Sequence, residues 1–227
     1  MENHGSTNSI HIGRSRVVSG LELLLAGAIV IGHNVYHVVP NEVPILVVLC
    51  WISVRVRGGG WKDIGLESPR SWWKTVAYAI LSAAAIVVLS DVVVGPIAES
   101  YLGAEHVSKA FQSPTHDLGW TLRSLGLVWT LAAFGEEIAY RGYLINRAAE
   151  TGGRTRLAYG AALVVASVLF GYGHYYKGPA GVIASTVSGL VLGATYLLAR
   201  RNLWVTILAH GFRDTFAIVA MLAGWGT

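Results

Sequence analysis

Three short stretches combine residue types that could do chemistry together. They are Phe134-Gly135-Glu136-Glu137-Ile138-Ala139-Tyr140-Arg141, Phe170-Gly171-Tyr172-Gly173-His174 and His210-Gly211-Phe212-Arg213-Asp214. A carboxylate beside an imidazole can activate a water molecule, and a second imidazole with a hydrogen-bonding neighbour can stabilise the oxyanion of a tetrahedral intermediate. Together these are the parts for hydrolysing an acyl bond, with a peptide bond as the foremost candidate. No Gly-x-Ser-x-Gly elbow is present, and the single cysteine, Cys50, lies in a different apolar run. Water is thus the nucleophile these residues provide for.

On a regular helix advancing ~100° per residue, positions four apart share a face. Glu137 with Arg141, Phe170 with His174, and His210 with Asp214 are three such pairs. Glu136 and Arg141 diverge by about 140° on the same geometry. The two glutamates therefore have different expected tasks: Glu137 forms an ion pair with Arg141, and Glu136, lacking an intrahelical counter-charge, is free to take or hold a proton.

The elements that must position these groups are membrane helices. The 227 residues are 53% hydrophobic and only 13% charged, with a mean hydropathy of +0.52. A soluble domain averages about 45–50% apolar and about 25% charged, which excludes an ordinary soluble enzyme, a disordered chain and a coiled coil. Apolar runs extend over 17–39, 43–56, 72–94, 119–149, 157–175, 180–199 and 203–223. At about 20 residues per crossing the expected fold is all-α, a polytopic transmembrane bundle of about seven membrane helices with room for an eighth helix. A polar tail, 1–16, precedes a single integral-membrane domain, 17–227, with the reactive motifs in 118–227. The run at 43–56 is short for a crossing.

Basic residues support this parse, because Lys and Arg near span ends gather on the cytoplasmic side. With the N-terminus inside, Arg14, Arg16, Arg55, Arg57, Lys62, Arg70, Lys74, Arg147, Arg154, Arg156, Arg200 and Arg201 all fall inside, and only Lys109 and Lys177 outside. A multi-pass cell-membrane protein with a cytoplasmic N-terminus follows as the expectation. The net charge of +4 then reflects topology and anionic headgroups, with no nucleic-acid partner.

Ionisable groups inside hydrocarbon cost roughly 2.5–3.5 kcal/mol each and so mark functional positions. At ~1.5 Å rise per residue, Glu136 and His174 lie about 20 and 26 Å from one inner turn, and His210 and Asp214 about 12 and 18 Å from another. Tilts of ~20° absorb these offsets, so the groups can share one site. His33 and His37, Asp91, and the loop residues His106 and His116 are read as interfacial or solvated.

The ordered set Glu136-Glu137-x-x-x-Arg141, Phe170-x-x-x-His174 and His210-x-x-x-Asp214 resembles the motifs of the CPBP family, the CAAX proteases and bacteriocin-processing enzymes also called the Abi family. The likeness is to its type II CAAX prenyl endopeptidases. It implies an intramembrane endopeptidase of the glutamate type acting on a membrane-anchored or prenylated peptide or protein. In that reading Glu136 and His174 activate water, His210 and Asp214 form the oxyanion site, and Glu137, Arg141 and Phe170 support them. Asp214 departs from the usual Asn, and an ionised Asp cannot donate to an oxyanion. No cofactor is implied. The alternatives are a zinc-dependent variant built from the same His and carboxylate groups, and a non-catalytic scaffold or transporter that keeps them as a buried network.

Overall fold

The computed structural model describes residues 16–103 and 118–224; the tail 1–15, Lys109, His106 and His116 lie outside the described residues. Within these limits the chain forms seven continuous helical segments and no strand. They are α1 (Arg16–Asn34), α2 (Glu42–Val56), α3 (Trp72–Leu102), α4 (118–151), α5 (Arg156–Tyr172), α6 (Gly178–Leu198) and α7 (Leu203–Leu222). Arg16–Asn34, Trp72–Leu102, Tyr175–Leu198 and Leu203–Leu222 are each long and apolar enough to cross a membrane. The protein is a helical membrane bundle. Its outer surface carries large apolar side chains such as Leu24, Leu81, Val92 and Val164, as lipid contact requires.

Two helices depart from the regular α-helical period. α3 contains a π-helical stretch at Val87–Val94, and α4 one at Val128–Ile145. π-type i→i+5 bonding is rare and concentrates at functional sites. The two stretches contain Asp91, Glu136, Glu137 and Arg141, so the widened helix coincides with intramembrane charge.

α4 runs through the centre of the bundle. From Glu137 to Glu150 every residue is buried. Ile138, Ala139, Leu144, Ile145 and Ala149 form one core with Val30 of α1, Leu46 and Cys50 of α2, Ala166 and Phe170 of α5, and Leu203 and Ile207 of α7.

At one end of the bundle polar contacts tie α1, α2 and α4 together. Arg57 donates to Glu22 at 2.8 Å, Ser53 donates to the same carboxylate at 2.7 Å, and Glu150 accepts from Ser19 at 2.9 Å and Arg147 at 2.7 Å. The connection before α3 belongs to this end. Its short 3-10 helix, Trp61–Ile64, tucks inward: Tyr196 donates to the Ile64 carbonyl at 2.8 Å, and Leu203 N–H to that of Gly65 at 2.9 Å. Gly65 has φ +91° and a Cβ there would overlap the Arg201 carbonyl, so only glycine fits this turn.

α5 and α6 approach through small residues, the usual device where lipid supplies no drive for helix association. A Cβ on Gly171 would overlap the Thr186 hydroxyl and come within 2.7 Å of the Val182 carbonyl oxygen. Gly171→Ala should therefore cost about 1–3 kcal/mol through forced separation of the helices. A thermal melt of the purified variant measures this, and an unchanged midpoint contradicts it.

Candidate active site

The seven residues singled out in the sequence converge where α4, α5 and α7 meet. Phe170, buried at the end of α5, forms the common contact. Its ring centroid lies 4.8 Å from that of His174, 5.9 Å from that of His210 and 5.1 Å from that of Tyr140. The Arg141 guanidinium sits over its face at 4.4 Å, a cation–π contact in a desolvated setting.

The Glu137–Arg141 pair forms at 2.8 Å with both side chains buried, and Arg141 also donates to the Gly189 carbonyl of α6 at 3.3 Å. Glu137 does more than the intrahelical pair required. Its Oε1 also accepts from Nδ1 of His210 at 2.9 Å, so one carboxylate joins α4 to α7. Nε2 of His210 faces Asp214 Oδ2 at 3.5 Å. A carboxylate thus stands at each ring nitrogen, and only the doubly protonated imidazole can donate to both.

Asp214 is itself held. Arg213 donates to it at 3.0 Å and reaches across to Asp91 on α3 with two contacts at 2.8 and 3.2 Å. Asp91, read from sequence as an interfacial residue, is the partner of Arg213. Six ionisable side chains therefore run in series from α3 to the bundle centre: Asp91, Arg213, Asp214, His210, Glu137 and Arg141. Arg213 and Asp91 are the neighbours of the candidate site that the sequence reading did not include. Their signal was present, since opposite charges in two apolar runs lower their cost by pairing.

His174 is fixed differently. Its Nδ1 lies 2.9 Å from the Phe170 carbonyl oxygen, which can only accept, so Nδ1 carries a proton and the neutral ring keeps its lone pair on Nε2. Glu136 is near enough to His210 and Asp214 to interact electrostatically with both, and its Oε2 is buried with no hydrogen-bond partner among the described residues. A buried carboxylate oxygen without a partner is costly in a fold and is a mark of reactive sites.

His33 and His37 do not pair. His33 Nδ1 meets the Val39 carbonyl at 2.9 Å and Nε2 meets Glu42 at 3.3 Å, closing the α1–α2 turn, while His37 is exposed. Glu42 is buried there and accepts from Asn34 at 3.0 Å. Among the described residues no three His, Cys, Asp or Glu side chains are grouped to hold a metal ion.

Comparison with known proteins agrees with the motifs. Residues 118–216, somewhat under half of the chain, match the family model described as type II CAAX prenyl endopeptidase Rce1-like, and this stretch contains every residue of the three motifs. No curated protein and no solved structure matches the chain. Residues 118–216 of this membrane bundle are thus similar to the Rce1-like type II CAAX prenyl endopeptidases, the CAAX protease group that its ordered motifs resemble.

Proposed function

We propose that this protein is a multi-pass intramembrane endopeptidase that hydrolyses a peptide bond in a membrane-anchored or prenylated substrate, with water activated by Glu136 and His174. The observation that carries the reading is the unpartnered buried oxygen of Glu136 in a site where the His174 tautomer leaves Nε2 as an acceptor. A carboxylate and an imidazole so placed can draw a proton from water as it attacks the scissile carbonyl and return it to the leaving amine.

His210 supplies the oxyanion contact in this reading. As an imidazolium anchored through Nδ1 by Glu137, it offers Nε2–H to the tetrahedral oxyanion as a charge-assisted donor. The 3.5 Å separation from Asp214 is long for a hydrogen bond, so that donor can turn to substrate at small cost. Asp214 then acts as a positioning residue, with its charge holding the imidazole where the family's usual Asn would itself donate. Glu137, Arg141 and Phe170 keep α4, α5 and α7 in register around the reacting atoms.

The same reading places the N-terminus in the cytoplasm and gives the chain about seven crossings, supported by the distribution of Lys and Arg about the helix ends. The protein incorporated in lipid vesicles with matched peptides, one farnesylated at a C-terminal Cys and one carrying a transmembrane anchor, tests the activity. Hydrolysis of at least one, unchanged by strong chelators, is expected. Chelator-sensitive cleavage would shift the reading to a metal enzyme, and the absence of cleavage across a broad panel would favour the non-catalytic scaffold.

A further inference from the structure

Away from the proposed catalytic groups, a shallow groove of ≈ 500 Å³ opens between the start of α5 and the end of α6. It is lined by Arg156, Tyr159, Gly160, Leu197, Arg200 and Arg201, with no carboxylate among them. Arg201 is fixed in place: its Nη1 donates to Tyr159 Oη at 3.0 Å and to Asn146 Oδ1 at 3.3 Å. Arg156 and Arg200 are exposed, and among the described residues no acidic side chain lies within ion-pairing distance of Arg156, Arg200 or Arg201. Elsewhere at this end Arg57, Arg147 and Arg154 each pair with a glutamate.

The backbone adds a second, independent observation. Arg200 and Arg201 both adopt left-handed conformations, with φ of 57° and 62°. Glycine or asparagine is the inexpensive choice at such a helix end, and strained positions of this kind collect at ligand clamps. Two successive arginines are kept where the turn itself favours neither, and both line the groove.

Its apolar border says which anion fits. Leu157 beside Arg156 is 84% exposed and Leu198 near Arg200 is 85% exposed, so the cationic groove is flanked by side chains suited to hydrocarbon. We propose that this groove binds the phosphate of an anionic phospholipid headgroup, with Arg156, Arg200 and Arg201 on the phosphate and Leu157 and Leu198 against the acyl chains. Basic pockets between membrane helices at headgroup level are suited to such lipids. This assignment does not depend on the peptidase chemistry.

The test is a titration of the detergent-solubilised full chain with phosphatidylglycerol, followed by native mass spectrometry, with phosphatidylcholine and inorganic phosphate as separate probes. The wild type should bind one phosphatidylglycerol in preference to phosphatidylcholine. Arg156→Gln/Arg200→Gln leaves the Arg201 contacts intact and should weaken phosphatidylglycerol binding roughly tenfold or more without changing that of phosphatidylcholine. Arg156→Lys/Arg200→Lys should restore most of the difference, which separates lost charge from misfolding. Equal affinities of wild type and the glutamine variant overturn the proposal. So does displacement of the lipid by inorganic phosphate at equal concentration, which would assign the groove to a free anion.

Discussion

Glu136→Gln should reduce peptide hydrolysis by about 10³-fold or more while leaving the bundle folded. The substitution keeps the side chain's volume and removes only its capacity to accept and return a proton, a role that contributes 10²–10⁴-fold in general acid–base catalysis. Since Oε2 has no hydrogen-bond partner among the described residues, no structural bond is lost with it. Glu137→Gln is the informative contrast. Glu137 is fully buried, pairs with Arg141 and accepts from His210, so its loss should lower stability as well as activity. Initial rates on a vesicle-borne peptide, measured beside a thermal melt of the same preparation, distinguish these behaviours. Wild-type turnover by Glu136→Gln would remove Glu136 from the mechanism, whatever happens at position 137.

The second large effect belongs to Arg141. Its replacement by Met removes the cation from a pair whose members are 0% and 2% exposed, strips a donor from the Gly189 carbonyl and empties the contact over the Phe170 ring. Breaking a buried pair on one side costs about 3–5 kcal/mol, because the remaining charge stays desolvated. Arg141→Met should therefore melt far below the wild type or fail to accumulate in the membrane. Adding Glu137→Gln should recover a substantial part of that stability, because an uncharged pair of similar volume has no stranded charge. Activity should not return in the double variant, since His210 would lose the carboxylate that holds it. Melting curves of the two variants decide the point, and a single variant as stable as wild type would show that the pair is not structural.

Several features were legible before any coordinates because they depend on local periodicity and on the cost of charge in hydrocarbon. Apolar runs separated by Gly, Pro and Arg mark the helices, and the seven segments follow them closely. The four-residue spacing of Glu137 and Arg141 anticipates their contact. The same cost argument selected His174, His210 and Asp214 as a group, and the ring of Phe170, four positions before His174, touches both histidines.

What escaped the sequence involves partners far apart in the chain or backbone states that periodicity does not encode. Asp91 and Arg213 are 122 positions apart, and nothing local in the sequence announces their pairing. Glu137 reaches His210 across 73 positions, which turns an expected intrahelical pair into a bridge between helices. The π-helical stretch Val128–Ile145 alters the winding on which every face assignment for α4 rested. Composition and spacing by themselves determined that this chain is a membrane bundle with a costly set of carboxylates and imidazoles. The order in which those charges meet was decided by the tertiary structure alone, because an ion pair depends on distance in space and, with little water to screen it, each buried charge must find its partner wherever the fold brings one near.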